Sequence, residues 1–225
     1  MTTVLRVMTA NLWSDRVDAS GLGRVIDEVA PDVLAVQELE AHAVEAIATR
    51  FPYRFLDPSL DALGSGMASR IPATAARLAM AYRNGWQLTV TPESWDLPVE
   101  IVAIHLMNPT RWPWPASVRI RRHQVGAVTA HVRTTSGPLL VVGDLNATRS
   151  WPAYRRLRGT GLDDGACRAG TAAPTWRYRR IGPPLLRIDH ALTRDLTVAT
   201  TRTVVVPGSD HLGLVIDIAS ATSET

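Results

Sequence analysis

Lysine is missing from this 225-residue sequence, and cysteine occurs once, at Cys167. A single thiol excludes an internal disulfide and fits a reducing, cytoplasmic setting. Cys167 sits in a Gly- and Arg-rich stretch and reads as a bystander rather than a nucleophile. Long apolar runs are also missing. None approaches the roughly 18 residues of a membrane span. The opening MTTVLRVMTANLW has no basic segment leading into a long apolar one, so no secretory leader and no stable membrane association are expected. Internal repeats and long linkers are absent too. Charge of one sign is scarce: 24 basic residues, every one arginine, face 21 acidic ones, for a net charge of +3. That balance permits an anionic ligand without demanding one. It lacks the dense basic stripe of a protein that coats DNA.

What is present is apolar and evenly spread. With 46% hydrophobic residues the chain can bury one large core, and residues 1–225 read as a single domain. Residues 4–12 read as a strand. Leu22, Val25, Ile26 and Val29 recur at helical spacing over 21–30, and VLAVQEL at 33–39 reads as a buried strand, which makes a βαβ unit. A helix is expected at 41–50, then strands near 53–56, 66–70, 75–83, 86–91 and 99–107. A helix over 117–134, a buried strand at 138–144 and a short helix at 151–158 follow. Residues 161–184 read as a loop, and strands at 186–193, 196–206 and 213–218 close the chain. Strand runs interspersed with helices predict packed sheets flanked by helices.

The polar residues fall at odd places on that map. Asn11, Glu38, His105 and the pair Asp144 and Asn146 each end a strand. If those strands run parallel, the groups gather at one rim of the sheets, where sites in α/β architectures lie. VVVPGSDHLGLVIDIAS (204–220) places Asp210 beside His211 in a turn that needs only Pro207 and Gly208. The strand at 196–206 is expected to return antiparallel to the one carrying Asp189, which brings the turn toward Asp189. A carboxylate beside an imidazole fixes its tautomer and raises its basicity. Asp210, Glu38 and Asn11 together offer hard oxygen donors, which suit Mg²⁺ or Mn²⁺ rather than Zn²⁺.

The ordered set TANLW, VQELE, GSGMASRIP, AIHL, GDLNAT, RIDHAL and GSDHLGL resembles the endonuclease/exonuclease/phosphatase superfamily, the DNase I-like fold, over Asn11 to Leu214. The resemblance implies an α+β, four-layer α/β/β/α sandwich: two packed mixed β-sheets with flanking helices. It implies a divalent-metal-dependent hydrolase that cleaves phosphodiesters or phosphomonoesters. Glu38 would be the main metal ligand, with Asn11 and Asp210 nearby. His211 would act as general base or water-orienting group, paired with Asp189. Asp144 would align the water, and Asn146 would hydrogen-bond phosphoryl oxygens. His105 would protonate the leaving group or bind phosphate. The substrate is expected to be an anionic phosphate ester, with nucleic acid the leading candidate and a small phosphorylated metabolite or lipid the alternative. No obligate protein partner is evident, and a non-catalytic binding module is the remaining reading.

Each residue also has a plainer reading. Glu38 could be solvated, Asn11 a turn former, Asp144 and Asn146 helix caps, and Asp210–His211 a surface turn. It is their joint occurrence that favours chemistry. By strand alternation His190 points away from Asp189 and reads as structural. His42, His123 and His131 read as surface or packing residues on helices, Ser209 as a turn stabiliser and Arg70 as a loop brace. In NPTRWPWPASVRIRRHQ (108–124), Trp112 and Trp114 could offer a stacking surface, and Arg119, Arg121 and Arg122 could meet phosphate; a rigid loop leading into a solvated helix face explains the same residues. Trp176 is placed near the mouth of the site.

Overall fold

The computed structural model describes residues 4–170, 172–178 and 182–220. Two six-stranded mixed sheets lie face to face. The first holds β1 (Leu5–Asn11), β2 (Val33–Gln37), β3 (Tyr53–Asp57), β4 (Ser65–Ser69), β11 (Leu196–Val205) and β12 (Leu212–Ser220), in the order β11-β12-β1-β2-β4-β3. The second holds β5 (Ala73–Leu78), β6 (Gly85–Val90), β7 (Val99–His105), β8 (Leu139–Asp144), β9 (Asp163–Asp164) and β10 (Asp189–Arg194), in the order β5-β6-β7-β8-β10-β9. Helices α1 (Ala19–Val29) and α2 (Ala41–Ala48) cover the first sheet. Helices α3 (Trp114–Thr134) and α4 (Pro152–Arg158) cover the second, and a short α5 (Gly165–Arg168) follows β9. This is the four-layer α+β sandwich that the sequence implied.

Side-chain alternation builds the layers. Leu5 and Val7, Val33 and Ala35, Ile101 and Ala103, and Leu140 and Val142 fill the seam between the sheets. Their neighbours Met8, Ala10, Leu34 and Val36 pack on α1 and α2, while Val102, Ile104, Leu139 and Val141 pack on α3 and α4. Both faces of the central strands are buried, which explains why they read as unbroken apolar runs.

The same alternation carries polar groups into the seam at one end. Asn11 shares the parity of Leu5 and Val7, His105 that of Ile101 and Ala103, and Asp144 that of Leu140 and Val142. β1 runs parallel to β2, and β7 parallel to β8, so their C-terminal ends meet at one rim. β10 is antiparallel to β8 with Asp189 opposite Asp144, so the start of β10 joins that rim. β12 is antiparallel to β1 and begins there too.

Three local expectations need correction. β10 and β11 do not form a hairpin: they lie in opposite sheets, and the chain crosses between them at Asp195, which takes φ 53°. Asp189 and the turn after β11 still meet, but across the seam rather than along a ladder. The strand expected over 75–83 ends at Leu78, and the chain turns at Tyr82 with φ 72°. Within 161–184, β9, α5 and a bridge between Trp176 and Leu186 replace a plain loop, although residues 171 and 179–181 lie outside the described set. No helix among the described residues is long and apolar enough to cross a membrane.

Candidate active site

Gly143 sets the spacing from which the site is built. It takes φ 126°, and a Cβ there would lie 2.0 Å from the Ile104 carbonyl oxygen. Only glycine lets β7 and β8 approach so closely one residue before His105 and Asp144. On the other sheet Glu38 follows β2 in the left-handed region, at φ 55°. Asn11 Nδ2 bridges the sheets by donating to Glu38 Oε1 at 3.2 Å and to Asp144 Oδ2 at 3.1 Å. Its side-chain oxygen Oδ1 accepts the Trp13 backbone N–H at 3.0 Å. Asn11 therefore presents donors to the carboxylates. Ser14 Oγ donates to Glu38 Oε2 at 3.2 Å.

Asp144 is 1% exposed. It also accepts the Asn146 backbone N–H at 2.7 Å and the Asn146 side-chain amide at 3.0 Å. The second amide hydrogen of Asn146 goes to the Leu106 carbonyl at 3.0 Å, so Asn146 as placed orients Asp144. Burial, with the nearby Asp189 charge, pushes the Asp144 carboxyl up to about 7.

His211 Nδ1 donates to Asp189 Oδ2 at 2.9 Å. Its Nε2 faces Asp144 and Asp210 at 3.9 and 4.0 Å. Burial pushes this imidazole down, but Asp189, Asp144 and Asp210 outweigh it and hold the pKa at about 10. Thr175, which the sequence did not single out, accepts the Asp189 backbone N–H on Oγ1 at 3.1 Å, and Trp176, expected near the mouth of the site, donates from Nε1 to Asp210 Oδ2 at 2.9 Å. Ser209 Oγ donates to the Asn11 carbonyl at 2.7 Å and accepts the His211 N–H at 2.9 Å, a turn-stabilising role.

His105 Nε2 lies 3.5 Å from Asp144 Oδ2 and 3.8 Å from Glu38 Oε1. Its Nδ1 accepts from Arg83, which sequence reasoning missed. Arginine has no acceptor, so the His105 proton sits on Nε2 and faces the carboxylates. Burial and the Arg83 charge hold His105 well below the ordinary histidine range. Arg121 is spent elsewhere: it donates to the carbonyls of Met107, Leu145 and Asn146 and clamps the segments that follow β7 and β8. Arg119 and Arg122 stay exposed. Arg70 braces a loop through the Pro31 carbonyl at 2.9 Å. His190 binds the Ala147 carbonyl on the far face of β10.

These groups surround a cavity of about 520 Å³ that contains Glu38, Arg83, His105, Asp144, Asp210 and His211. A larger cleft of about 840 Å³ beyond Leu186 gathers no comparable set; there Tyr154 and Arg187 are engaged with Asp164. Two observations agree with a cation in this cavity. Asp210 Oδ1 is buried without a hydrogen-bond partner. Burial also pushes Glu38, Asp144 and Asp210 upward, the mark of carboxylates with too little positive charge nearby. The donor atoms of Asp144, Asp189 and His211 lie within 4.8 Å of one another, yet the His211–Asp189 bond already occupies part of that cluster. The orphan oxygen of Asp210 lies outside it.

Residues 8–211 match the sequence profile of the Endonuclease/Exonuclease/phosphatase family. The chain belongs to that family. Its members are metal-dependent phosphoesterases. An endonuclease/exonuclease/phosphatase from Beutenbergia cavernae superposes with a TM-score of 0.74 at 23% identity, covering 96% of this chain and 72% of the other. A humanized D. rerio TDP2 gives 0.76 at 17% identity, covering 96% and 99%. The 3′ phosphatase NExo from Neisseria, bound to a product DNA hairpin, gives 0.72 at 17% identity, covering 94% and 98%. At these identities the superpositions establish the fold. A comparison with curated protein sequences finds no match.

Proposed function

We propose that this protein hydrolyses phosphodiester bonds by direct attack of water, in the manner of a nuclease, with Mg²⁺ or Mn²⁺ bound at Glu38 and Asp210. The observation that carries this reading is the His211–Asp189 pair at 2.9 Å facing a carboxylate cluster in which Asp210 keeps an unpartnered oxygen. A divalent cation held there would supply charge neutralisation at phosphoryl and leaving oxygens. Asn11 reaches this group through the hydrogen bonds with which it holds Glu38 and Asp144. Asp189 fixes His211 with Nδ1–H on its carboxylate and Nε2 turned toward the other carboxylates of the cavity. The surplus of carboxylates keeps His211 protonated; neutralising it frees Nε2 to orient or deprotonate water, a contribution of about 10²–10⁴-fold. Asp144 lies where it can align that water. His105 offers an N–H donor for charge developing on the phosphoryl group. No side chain in the cavity stands out as a covalent nucleophile.

The alternative substrate is a small phosphorylated metabolite or lipid, which the compact 520 Å³ cavity also accommodates. The neighbours support both directions, since one is a TDP2 in complex with a single-strand DNA product and another a 3′ phosphatase. The test is a screen with Mg²⁺ or Mn²⁺ against plasmid DNA, single-stranded DNA, RNA, bis-p-nitrophenyl phosphate and p-nitrophenyl phosphate. Glu38→Gln should weaken metal binding and turnover without unfolding the protein. Undiminished turnover of that variant in excess EDTA sinks the reading.

A further inference from the structure

We propose that the groove between α3 and α4 is a subsite for an unpaired nucleobase, and that the substrate strand runs from it into the catalytic cavity. The inference rests on the phosphoesterase reading of that cavity and adds what the enzyme grips beside the phosphate. The groove holds about 380 Å³ and is lined by Pro109, Val118, Val125, Trp151, Ala153 and the arginines 122 and 156. Pro109 and Trp151 also line the catalytic cavity, so the two spaces share a wall.

The lining selects its ligand. The floor is aliphatic, and Trp151, at 37% exposed, offers an aromatic surface at the shared wall. Arg122 on α3 and Arg156 on α4 are exposed at the rim without an ion-pair partner among the described residues. Several other arginines are engaged, among them Arg6 with Asp217, Arg50 with Asp27, Arg77 with Asp57 and Arg187 with Asp164, while what sets Arg122 and Arg156 apart is that both line this groove. A guanidinium stacks on flat rings and pairs with phosphate, and an apolar slot beside it accepts the face of a base. A volume near the lower end of small-ligand pockets suits one ring and its sugar. An acyl chain would need an apolar exit, whereas guanidinium groups stand on both walls. A base held here leaves its adjoining phosphate next to the cavity that contains His211 and Asp144.

Binding of short fluorescent single strands, read by anisotropy in EDTA, tests this without turnover. A thymidine strand should bind about tenfold more tightly than an abasic strand of the same length. Arg122→Glu/Arg156→Glu and, separately, Val118→Trp, which fills the groove, should each abolish that base-dependent difference. Circular dichroism checks that each variant is folded. Equal binding of the two strands by the unmodified protein overturns the subsite, as does a difference that survives in both variants. Vesicles of phosphatidylglycerol form the other arm: variant-sensitive vesicle binding without base-dependent strand binding overturns the nucleobase in favour of a lipid. Cleavage of bis-p-nitrophenyl phosphate with Mg²⁺ is scored separately. Its failure counts against the phosphoesterase reading, while base-dependent binding stands on its own measurement.

Discussion

Arg83 donates a hydrogen bond to Nδ1 of His105 and so determines which face of that imidazole carries the proton. The other active-site histidine is wired the opposite way, with His211 Nδ1 giving its proton to Asp189. Burial and a cation hold one ring neutral, and carboxylates hold the other basic. Under the proposed function the two histidines would serve different tasks, one as a fixed donor and one as a proton acceptor.

Arg83→Ala is expected to release His105 from its single tautomer and to lower kcat about 10–10²-fold, in keeping with the loss of one oriented donor. Arg83→Lys keeps a donor toward Nδ1 and should recover part of the loss. Nitrogen NMR of the imidazole reads the tautomer directly. A spectrum unchanged in Arg83→Ala would remove the role assigned to Arg83.

His211 and Asp189 should behave as one unit. His211→Ala should lose most activity, and Asp189→Asn should lose much of it by leaving the ring poorly oriented. The double variant should fall little below His211→Ala alone. Steady-state kinetics on all three variants gives the answer, and fully multiplicative losses on intact folds would refute the pairing.

The metal-free protein should lose stability as pH rises. Asp144 is raised from 3.8 to about 7, so the stability it contributes is complete below pH 4 and is lost as pH climbs through 7. His211 is raised from 6.5 to about 10, so its contribution is complete below pH 6.5 and fades toward pH 10. Both act in the same direction. His105 and His190, held below the ordinary histidine range by burial, act in the opposite direction but only below about pH 6.5; in EDTA the melting temperature should therefore fall by about 5–10 °C between pH 6.5 and pH 9. Added Mg²⁺ or Mn²⁺ should restore more at pH 9 than at pH 5. Thermal melts with and without the cation check this; a flat EDTA profile contradicts it.

Much of this arrangement was legible in the residues. Their places at strand ends brought Asn11, Glu38, His105 and Asp144 to one rim, and period-two alternation separated His190 from Asp189. Alternation does not reveal to which sheet a strand belongs, which is why β10 and β11 looked like a hairpin. Arg83 was hidden because one loop arginine among 24 carries no distinguishing pattern. Its contact depends on a turn at Tyr82, in a stretch that reads as continuous strand. Thr175 acts through a hydroxyl on a backbone N–H, a contact without any sequence signature. Asn146 was found, but its hydrogen bonds show it orienting Asp144.

The seam between the sheets is aliphatic, and aliphatic contact has no directional preference. It resists separation but not sliding or rotation of one sheet over the other. Among the described residues, directional bonds cross it at several places, Arg83 to the Ala62 carbonyl included, and two groups of them concern the alignment. One is the catalytic cluster, through Asn11 to Asp144 and His211 to Asp189. The other lies beside it on β3 to β6, where Trp86 Nε1 donates to Ser65 and Arg77 pairs with Asp57. Two pins determine an alignment that one could not. The polar groups of the candidate site are therefore also part of the device that keeps the sandwich in register, and Trp86, which lines a small cavity with Arg83 and His105, continues that device to one side of the site.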